Sequence, residues 1–583
     1  MDIDKSNPAA ATATTATTAT AATAATTAAA TVATTVATTA TPQAVDRYSS
    51  LVALLQEAFV THQDRVALVS LGAELTYGEL DKQSHAWAAW LQSLDLPAGS
   101  RVAIMLPNML ASPVTLIGTL RAGCVAVNVN PLYTARELQA QLRDCRPDVI
   151  VLFEAFAATL QQVPATDRPK HVVIATVGDL MPKIKGILVN AVVRHVQRKV
   201  PTWHLSGTQQ LTYTLSKGAQ LPFAAPEIKP GDLAFLQYTG GTTGEPRAAM
   251  LSHRNVVANI MQVHAIAQPV LGDLLPKPLT MLTALPLYHV FAMTVCELYA
   301  LYAGMRVVLV INPRDFKTLT KIWRAERPHI FPAVNTLFAA LLRHEPFRQL
   351  DFSNLRIALG GGMAIHEPVA NQWQELTGRT IVEGYGMSET APVICANATD
   401  AKGFSGTVGW PLPGTDVKIL ADDGQAVSDG EPGEIAVSGP QVMLGYWQSP
   451  EATAAATTPD GYLLTGDIGI KHADGRVQII DRKKDMILVS GFNVYPAEID
   501  AVFAGHPDVA ECAAVGIPDK EGSEIIKLFV VPSEPDIDVE ALQAWARERL
   551  TGYKRPRDIV VVDSLPKNTV GKTLRRMLRE QYA

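Results

Sequence analysis

The apolar run Leu233–Tyr238 feeds directly into Thr239, Gly240, Gly241, Thr242, Thr243 and Gly244, and this junction constrains the chain more than any other stretch. A short unbroken apolar run is what a strand buried on both faces requires. The glycines that follow accept positive φ, so successive N–H groups can converge on one point. The threonine hydroxyls add uncharged donors, and the result suits the oxygens of a phosphate chain. Ser252 then stands as an N-cap before a helix predicted over 254–264. A plain surface turn is the competing reading. A Walker loop is excluded: Gly571-Lys572-Thr573 is the chain's one Gly-Lys-Thr, and Pro566 occupies the position of its first glycine.

The same succession of strand, turn and helix recurs upstream. Leu75–Leu80 closes a short strand and opens a helix, Arg101–Leu106 reads as a strand followed by a helix through Gly118, and Cys124–Val129 is a strand that turns at 130–134 into a helix at Arg136. Such alternation predicts parallel α/β layers. A length of 583 residues allows several domain-sized units. A net charge of −6 supplies no basic field for nucleic acid. Cys124, Cys145, Cys296, Cys395 and Cys512 are scattered and odd in number, so they read as reduced, packed thiols of a cytoplasmic protein. Ala9–Thr41 contains only Ala and Thr apart from Val32 and Val36, too weakly apolar to insert in a membrane, and is expected to be disordered. Residues 181–200 carry Lys183, Lys185, Arg194, Arg198 and Lys199 with no acid. Ile184, Leu188 and Val192 share a helical face there, but Lys185 and Lys199 fall on or near it. A packed surface helix and a peripheral contact with anionic lipid both remain open.

Five further stretches carry chemistry. His289, within Leu285–Phe291, is by residue type more often a satisfied core histidine than a ligand. Gly360-Gly361-Gly362 after Ile357–Leu359 allows a flat ligand to approach the backbone, or makes an ordinary turn. In Gly384-Tyr385-Gly386-Met387-Ser388-Glu389 an aromatic between glycines offers a stacking face, and Glu389 a hard oxygen for Mg²⁺. Thr465-Gly466-Asp467 sets a carboxylate after a tight turn, suited to a diol. The charge run Asp481–Asp485 separates a large body from a small tail, as a linker does.

Together these stretches resemble the adenylate-forming enzymes: acyl- and aryl-CoA synthetases, peptide-synthetase adenylation domains and firefly-type luciferases. The resemblance runs from about Ser49 to the C-terminus, with six motifs in family order, and is nearest to bacterial long-chain fatty-acid–CoA ligases. The phosphate loop departs from the usual family form at Arg247 (usually Lys) and Ala248 (usually Gly). The resemblance implies an α/β fold with a large N-terminal domain of layered subdomains (44–480, after a 1–43 extension), a hinge at 481–485, and a small mobile C-terminal α+β domain (486–583). It implies that Thr239, Gly240, Gly241, Thr242, Thr243, Gly244, Gly361, Gly362, Gly384, Tyr385, Ser388, Asp467 and Arg482 bind nucleotide, with Asp467 on the ribose, and that Glu389 holds Mg²⁺. Lys572 and His289 take catalytic roles, Lys484 is the pivot, and Gly491 leaves room for the CoA arm. The implied reaction uses ATP to convert a medium- or long-chain fatty acid to acyl-AMP and then, with CoA, to acyl-CoA. The rivals are an acyl-AMP ligase that loads a carrier protein and a non-catalytic acyl-nucleotide sensor. Fatty acid, ATP and CoA are the expected partners, with self-association and contact at the inner face of a membrane left open.

Overall fold

The structure is a computed structural model that describes residues 45–239, 247–275, 277–489, 492–518, 524–568 and 571–582. The Ala/Thr extension, Gly240, Gly241, Thr242, Thr243, Gly244 and Gly491 lie outside the described residues.

Among the described residues, two large sheets form the body. One has seven strands in the spatial order Gln209–Gln210, His171–Ala175, Val149–Phe153, Arg101–Met105, Val125–Asn128, Leu233–Thr239, Arg247–Ser252. All neighbours are parallel except the last pair, which form an antiparallel hairpin. The other sheet has nine strands, in the order Trp410–Pro411, Val393–Ala396, Ile381–Gly386, Ile357–Gly360, Ile330–Ala333, Thr280–Thr283, Arg306–Leu309, Val66–Ser70, Ala73–Thr76. It is parallel from Ile381–Gly386 to Val66–Ser70 and antiparallel at both edges. Parallel strands need crossover helices on their faces, so both faces are buried and the strands read as continuous apolar runs.

Local sequence opens the helices. Thr76 with Glu79, Thr134 with Glu137, and Ser252 with Asn255 each make a reciprocal capping box. The helix expected over 254–264 runs longer, His253–Leu271, because its apolar face stays buried past the expected end. The helices Leu51–Thr61, Tyr77–Gln92, Ala111–Arg121 and His253–Leu271 share one apolar cluster with strands of both large sheets. Trp87 and Trp90 are fully buried in it, and side chains of that size contribute about 1.5–3 kcal/mol each on burial.

A four-stranded antiparallel sheet (Asp416–Leu420, Gly433–Ser438, Leu463–Lys471, Val477–Arg482) follows. Its last strand ends in the single turn Lys483–Asp485. Beyond it lies a smaller α+β domain with its own core around Ile499, Phe503, Leu528 and Leu542. There the strands Val509–Pro518, Glu524–Pro532 and Asp558–Val561 pack with the helices Pro496–Ala504, Val539–Arg549 and Arg575–Tyr582. The five cysteines are free thiols, and four of them are buried. The basic segment forms the helix Lys183–Ala191, continued by one wide turn at Val192–Val196. It exposes more apolar surface than its sequence spacing suggests. Lys185 leans back until its ammonium lies within 3.3 Å of where a Cβ on Gly72 would stand, while Ile184, Ile187, Leu188, Val192 and Val196 face solvent.

Candidate functional site

The strand Arg247–Ser252 is paired on both edges. One neighbour is Leu233–Thr239; on the other side Leu444 and Trp447 donate to the Met250 and Ala248 carbonyls, and Met250 donates to that of Gly445, all at 2.9 Å. Ala248 therefore sits within a strand and is buried, so this departure from the family pattern falls outside the glycine turn. This pairing aims Tyr446 at Glu389, and its hydroxyl donates to Glu389 Oε1 at 2.8 Å. Glu389 occupies the short turn Ser388–Thr390 just beyond the strand Ile381–Gly386, where its carbonyl accepts from the Met443 N–H at 2.8 Å. Only 6% of Glu389 is exposed. Burial pushes its carboxyl above the usual range, while the Tyr446 bond and the Arg482 cation oppose that shift.

Asp467 is built from the same strand end and from a different sheet. The Tyr385 hydroxyl donates to Asp467 Oδ2 at 2.7 Å, and Arg482 Nε lies 3.1 Å from Oδ1. Asp467 and Arg482 are register partners across Leu463–Lys471 and Val477–Arg482, which fixes their separation. Gly466, just before Asp467 in the strand Leu463–Lys471, takes the left-handed conformation at φ +71 that glycine adopts without strain. Thr239, Gly384 and Ser388 are half-buried around this centre.

A third group borders it. A Cβ on Gly361 would come within 3.0 Å of the Phe291 ring and 3.3 Å of the Gly384 carbonyl. Glycine at 361 thus lets the turn after Ile357–Gly360 lie flat against both segments. Gly362 is exposed at φ +77. His289, two residues before Phe291, is half-buried by surface, yet its ring lies among so many atoms that burial lowers its pKa to about 4. It is a neutral imidazole at pH 7.

Lys572 comes from the small domain. Asn568 holds its hairpin: the Lys572 N–H donates to Asn568 Oδ1 at 2.8 Å and the Asn568 N–H to the Lys572 carbonyl at 2.9 Å. Between them Gly571 sits at φ +86, and a Cβ there would lie 2.8 Å from Thr336 Oγ1 on the large domain's helix Asn335–Arg343. Burial, and then the Arg482 cation, lower the Lys572 pKa to about 8, with Asp467 pulling the other way. Lys572 therefore shares one electrostatic neighbourhood with Asp467 and Arg482, the two halves of the chain closing on one cleft. Beside it a cavity of roughly 270 Å³ is lined by Thr465, Gly466, Arg482, Lys483 and Lys484. Burial and Arg482 draw the Lys484 ammonium below its usual value.

Sequence reasoning missed Tyr446, which holds Glu389 from 57 residues away, and Thr336, which the Gly571 turn touches. Neither carries a local signal, since each acts only through the packing of distant segments. No group of three or more His, Cys, Asp or Glu side chains able to hold a metal occurs among the described residues. One buried, pre-oriented carboxylate at Glu389 is nevertheless a suitable donor set for Mg²⁺, which keeps its waters and is shared with substrate phosphates.

A family model described as AMP-binding enzyme matches residues 55–447, and one described as AMP-binding enzyme C-terminal domain matches residues 498–572. A long-chain-fatty-acid–CoA ligase of Escherichia coli O157:H7 is 47% identical over 537 residues, covering 92% of this chain and 95% of that one. An anthranilate CoA ligase, AuaEII, solved with anthranoyl-AMP, superimposes with a TM-score of 0.80 at 25% identity, over 92% of this chain and 97% of that one. ATP-bound MatB from Rhodopseudomonas palustris gives 0.75 at 27% identity, over 91% and 98%.

Proposed function

Because the chain belongs to the AMP-binding enzymes, the adenylate-forming family, we propose that the cleft between its two domains activates a long-chain fatty acid in two steps. The carboxylate oxygen of the acid attacks the α-phosphorus of ATP, forming acyl-AMP and expelling diphosphate. The CoA thiol, losing its proton, then attacks the acyl carbon and expels AMP. The protein is an ATP-dependent fatty-acid–CoA ligase. The observation that carries this reading is the seating of the small domain's Gly571-Lys572 turn against Thr336 of the large one, which sets the Lys572 ammonium in the field of Arg482 and Asp467.

Each side chain has a task its surroundings support. Asp467, held by Tyr385 and Arg482, accepts from the ribose hydroxyls. The glycines at 361, 362 and 384 let the purine and acyl groups lie against the backbone, with the Tyr385 ring beside them. Thr239, Gly240, Gly241, Thr242, Thr243 and Gly244 are the proposed phosphate turn, and Ser388 adds a hydroxyl next to Glu389. Glu389 would hold Mg²⁺, which would supply neutralising charge to the phosphate oxygens. Lys572 supplies the cation at the carboxylate and α-phosphate as charge develops there. His289, neutral at pH 7, borders the acyl carboxylate without competing with Lys572 for it. Lys484 is the proposed pivot that withdraws Lys572 for the second step, and Gly491 the proposed clearance for the thiol arm.

Acyl-chain specificity is tested by CoA consumption across a saturated fatty-acid series. Turnover should rise toward long chains and require ATP, Mg²⁺ and CoA together; AMP released at full rate without CoA would favour carrier-protein loading instead.

The Lys183–Val196 segment supports a peripheral contact with an anionic lipid surface. Five of the fourteen exposed large apolar side chains among the described residues lie on it, beside a run of cations. Among the described residues no helix is long and apolar enough to cross a membrane. Neutralising Lys183, Lys185, Arg194, Arg198 and Lys199 should weaken co-sedimentation with anionic vesicles, and added salt should do the same to the parent. Unchanged sedimentation would reduce the segment to a surface helix.

A further inference from the structure

The residues on either side of Lys484 are tied to different domains. Lys483 Nζ lies 3.0 Å from Glu434 Oε2 and 3.2 Å from Asp422 Oδ1, both in the large domain's four-stranded region. Asp485, one residue past the pivot, pairs instead with Arg579 at 3.3 Å, on the last helix of the small domain. These ties place Lys484 at the junction between the two domains.

Asp481 breaks this division of loyalties. It lies upstream of the pivot, paired with Ile468 in the strand next to Asp467, and is therefore part of the large domain. Only 7% of it is exposed. Its Oδ1 accepts the Arg482 N–H at 2.7 Å, which orients the carboxylate from within its own strand. Its Oδ2 accepts the N–H of Ala497 at 2.6 Å. Ala497 is the second residue of the small domain's helix Pro496–Ala504, so the carboxylate meets an unpaired N–H at the positive end of a helix. Burial pushes the Asp481 carboxyl above its usual range; Arg575, on the small domain's last helix, and the Ala497 and Arg482 N–H groups oppose that shift, while Asp485 adds to it. Because Asp481 precedes Lys484 and Ala497 follows it, any swing about Lys484 must pull this bond apart. The bond therefore belongs to the pose that brings Lys572 to Asp467 and Arg482.

We propose that Asp481 is a positioning residue, a latch whose carboxylate holds the small domain in the acyl-AMP-forming pose and lets go for the thioester step. This rests on the two-step reading above but concerns a residue outside the reacting centre: Asp481 steers Lys572 without touching substrate. An anionic acceptor on a helix N–H makes a charge-assisted bond, so losing it shifts the balance of poses substantially.

The test uses the full chain and reads pose and chemistry separately. Thr336 Cβ lies 3.9 Å from the position of a Cβ on Gly571, within the span of a disulfide. Thr336→Cys with Gly571→Cys therefore reports the closed pose by its rate of oxidative cross-linking. In that background Asp481→Ala should slow cross-linking about tenfold, with Asp481→Asn, which keeps one acceptor oxygen, in between. In the otherwise native chain Asp481→Ala should lower acyl-AMP formation about tenfold, while thioester formation from supplied acyl-AMP and CoA stays at or above the parent rate. An unchanged cross-linking rate, or equal losses in both half-reactions, overturns the latch. A parent that forms no acyl-AMP overturns the proposed function instead, and the cross-linking rate still decides on Asp481.

Discussion

The two halves of the cleft are built to opposite standards. Asp467 and Glu389 are 6% exposed, embedded at the meeting of two sheets, and each is gripped by a tyrosine hydroxyl from another segment. Lys572 rides on a short hairpin whose apex is a glycine at positive φ, and it reaches the cleft through a domain joined by one turn. The first half suits the part of the nucleotide that stays through both steps, the AMP moiety that leaves only when the thiol expels it. The second suits a charge wanted for one step and obstructive in the next, because it can be withdrawn without disturbing any core. Permanence here comes from burial and cross-sheet hydrogen bonds, and removability from attachment at a single pivot.

The largest effects should separate these halves. Lys572→Ala should lower acyl-AMP formation by about 10²–10³-fold, as loss of one electrostatic stabiliser does, yet leave thioester formation from supplied acyl-AMP within about twofold of the parent. Glu389→Ala should cut acyl-AMP formation comparably, but its loss should deepen as Mg²⁺ becomes limiting. If the two variants share one profile across both half-reactions and Mg²⁺ concentrations, the contrast between fixed and removable halves fails.

Acidity sharpens the same contrast. With its pKa drawn down to about 8 by burial, Lys572 is charged below that pH and loses its proton as pH rises through it. The kcat/KM for ATP in acyl-AMP formation should therefore fall about tenfold per pH unit above the transition, since this quantity reports the free enzyme. The thioester step should lack that fall, and Lys572→Arg, whose cation persists, should shift it upward by more than two units. A flat profile in the parent would remove Lys572 from the titrating role.

A smaller effect is expected at the contact between the halves. Gly571→Ala places a Cβ at positive φ and 2.8 Å from Thr336 Oγ1, costing about 1–2 kcal/mol in backbone strain alone. Acyl-AMP formation should drop about tenfold, and Thr336→Gly in the same chain should restore part of it by removing the clash. Smallest of all, Tyr446→Phe leaves Glu389 Oε1 without its donor and should cost about fivefold at limiting Mg²⁺ while sparing the thioester step. Restoration by saturating Mg²⁺ would tie the loss to the carboxylate's grip on the ion.

What the sequence determined by itself was whatever is written in contiguous residues. Strands at Leu233–Thr239 and Arg101–Met105 follow from unbroken apolar runs, and the helix beginning at His253 from the Ser252 cap. Glu389, Asp467 and Lys572 lie in compact stretches with glycines nearby, and it was the resemblance of those stretches to family motifs that singled them out. The tertiary structure alone decided who holds them. Tyr446 reaches Glu389 only because its segment adds an edge to Arg247–Ser252, and Thr336 meets Gly571 only because two domains close. The basic segment likewise read as poorly amphipathic until the leaning of Lys185 left the neighbouring Ile and Leu side chains outside. Asp481 looked like one charge in a run of five, and its latch appears only when Ala497, sixteen residues on, returns to it. Short-range chemistry is encoded by spacing along the chain. Long-range partners are chosen by the packing of whole sheets, which no local pattern records.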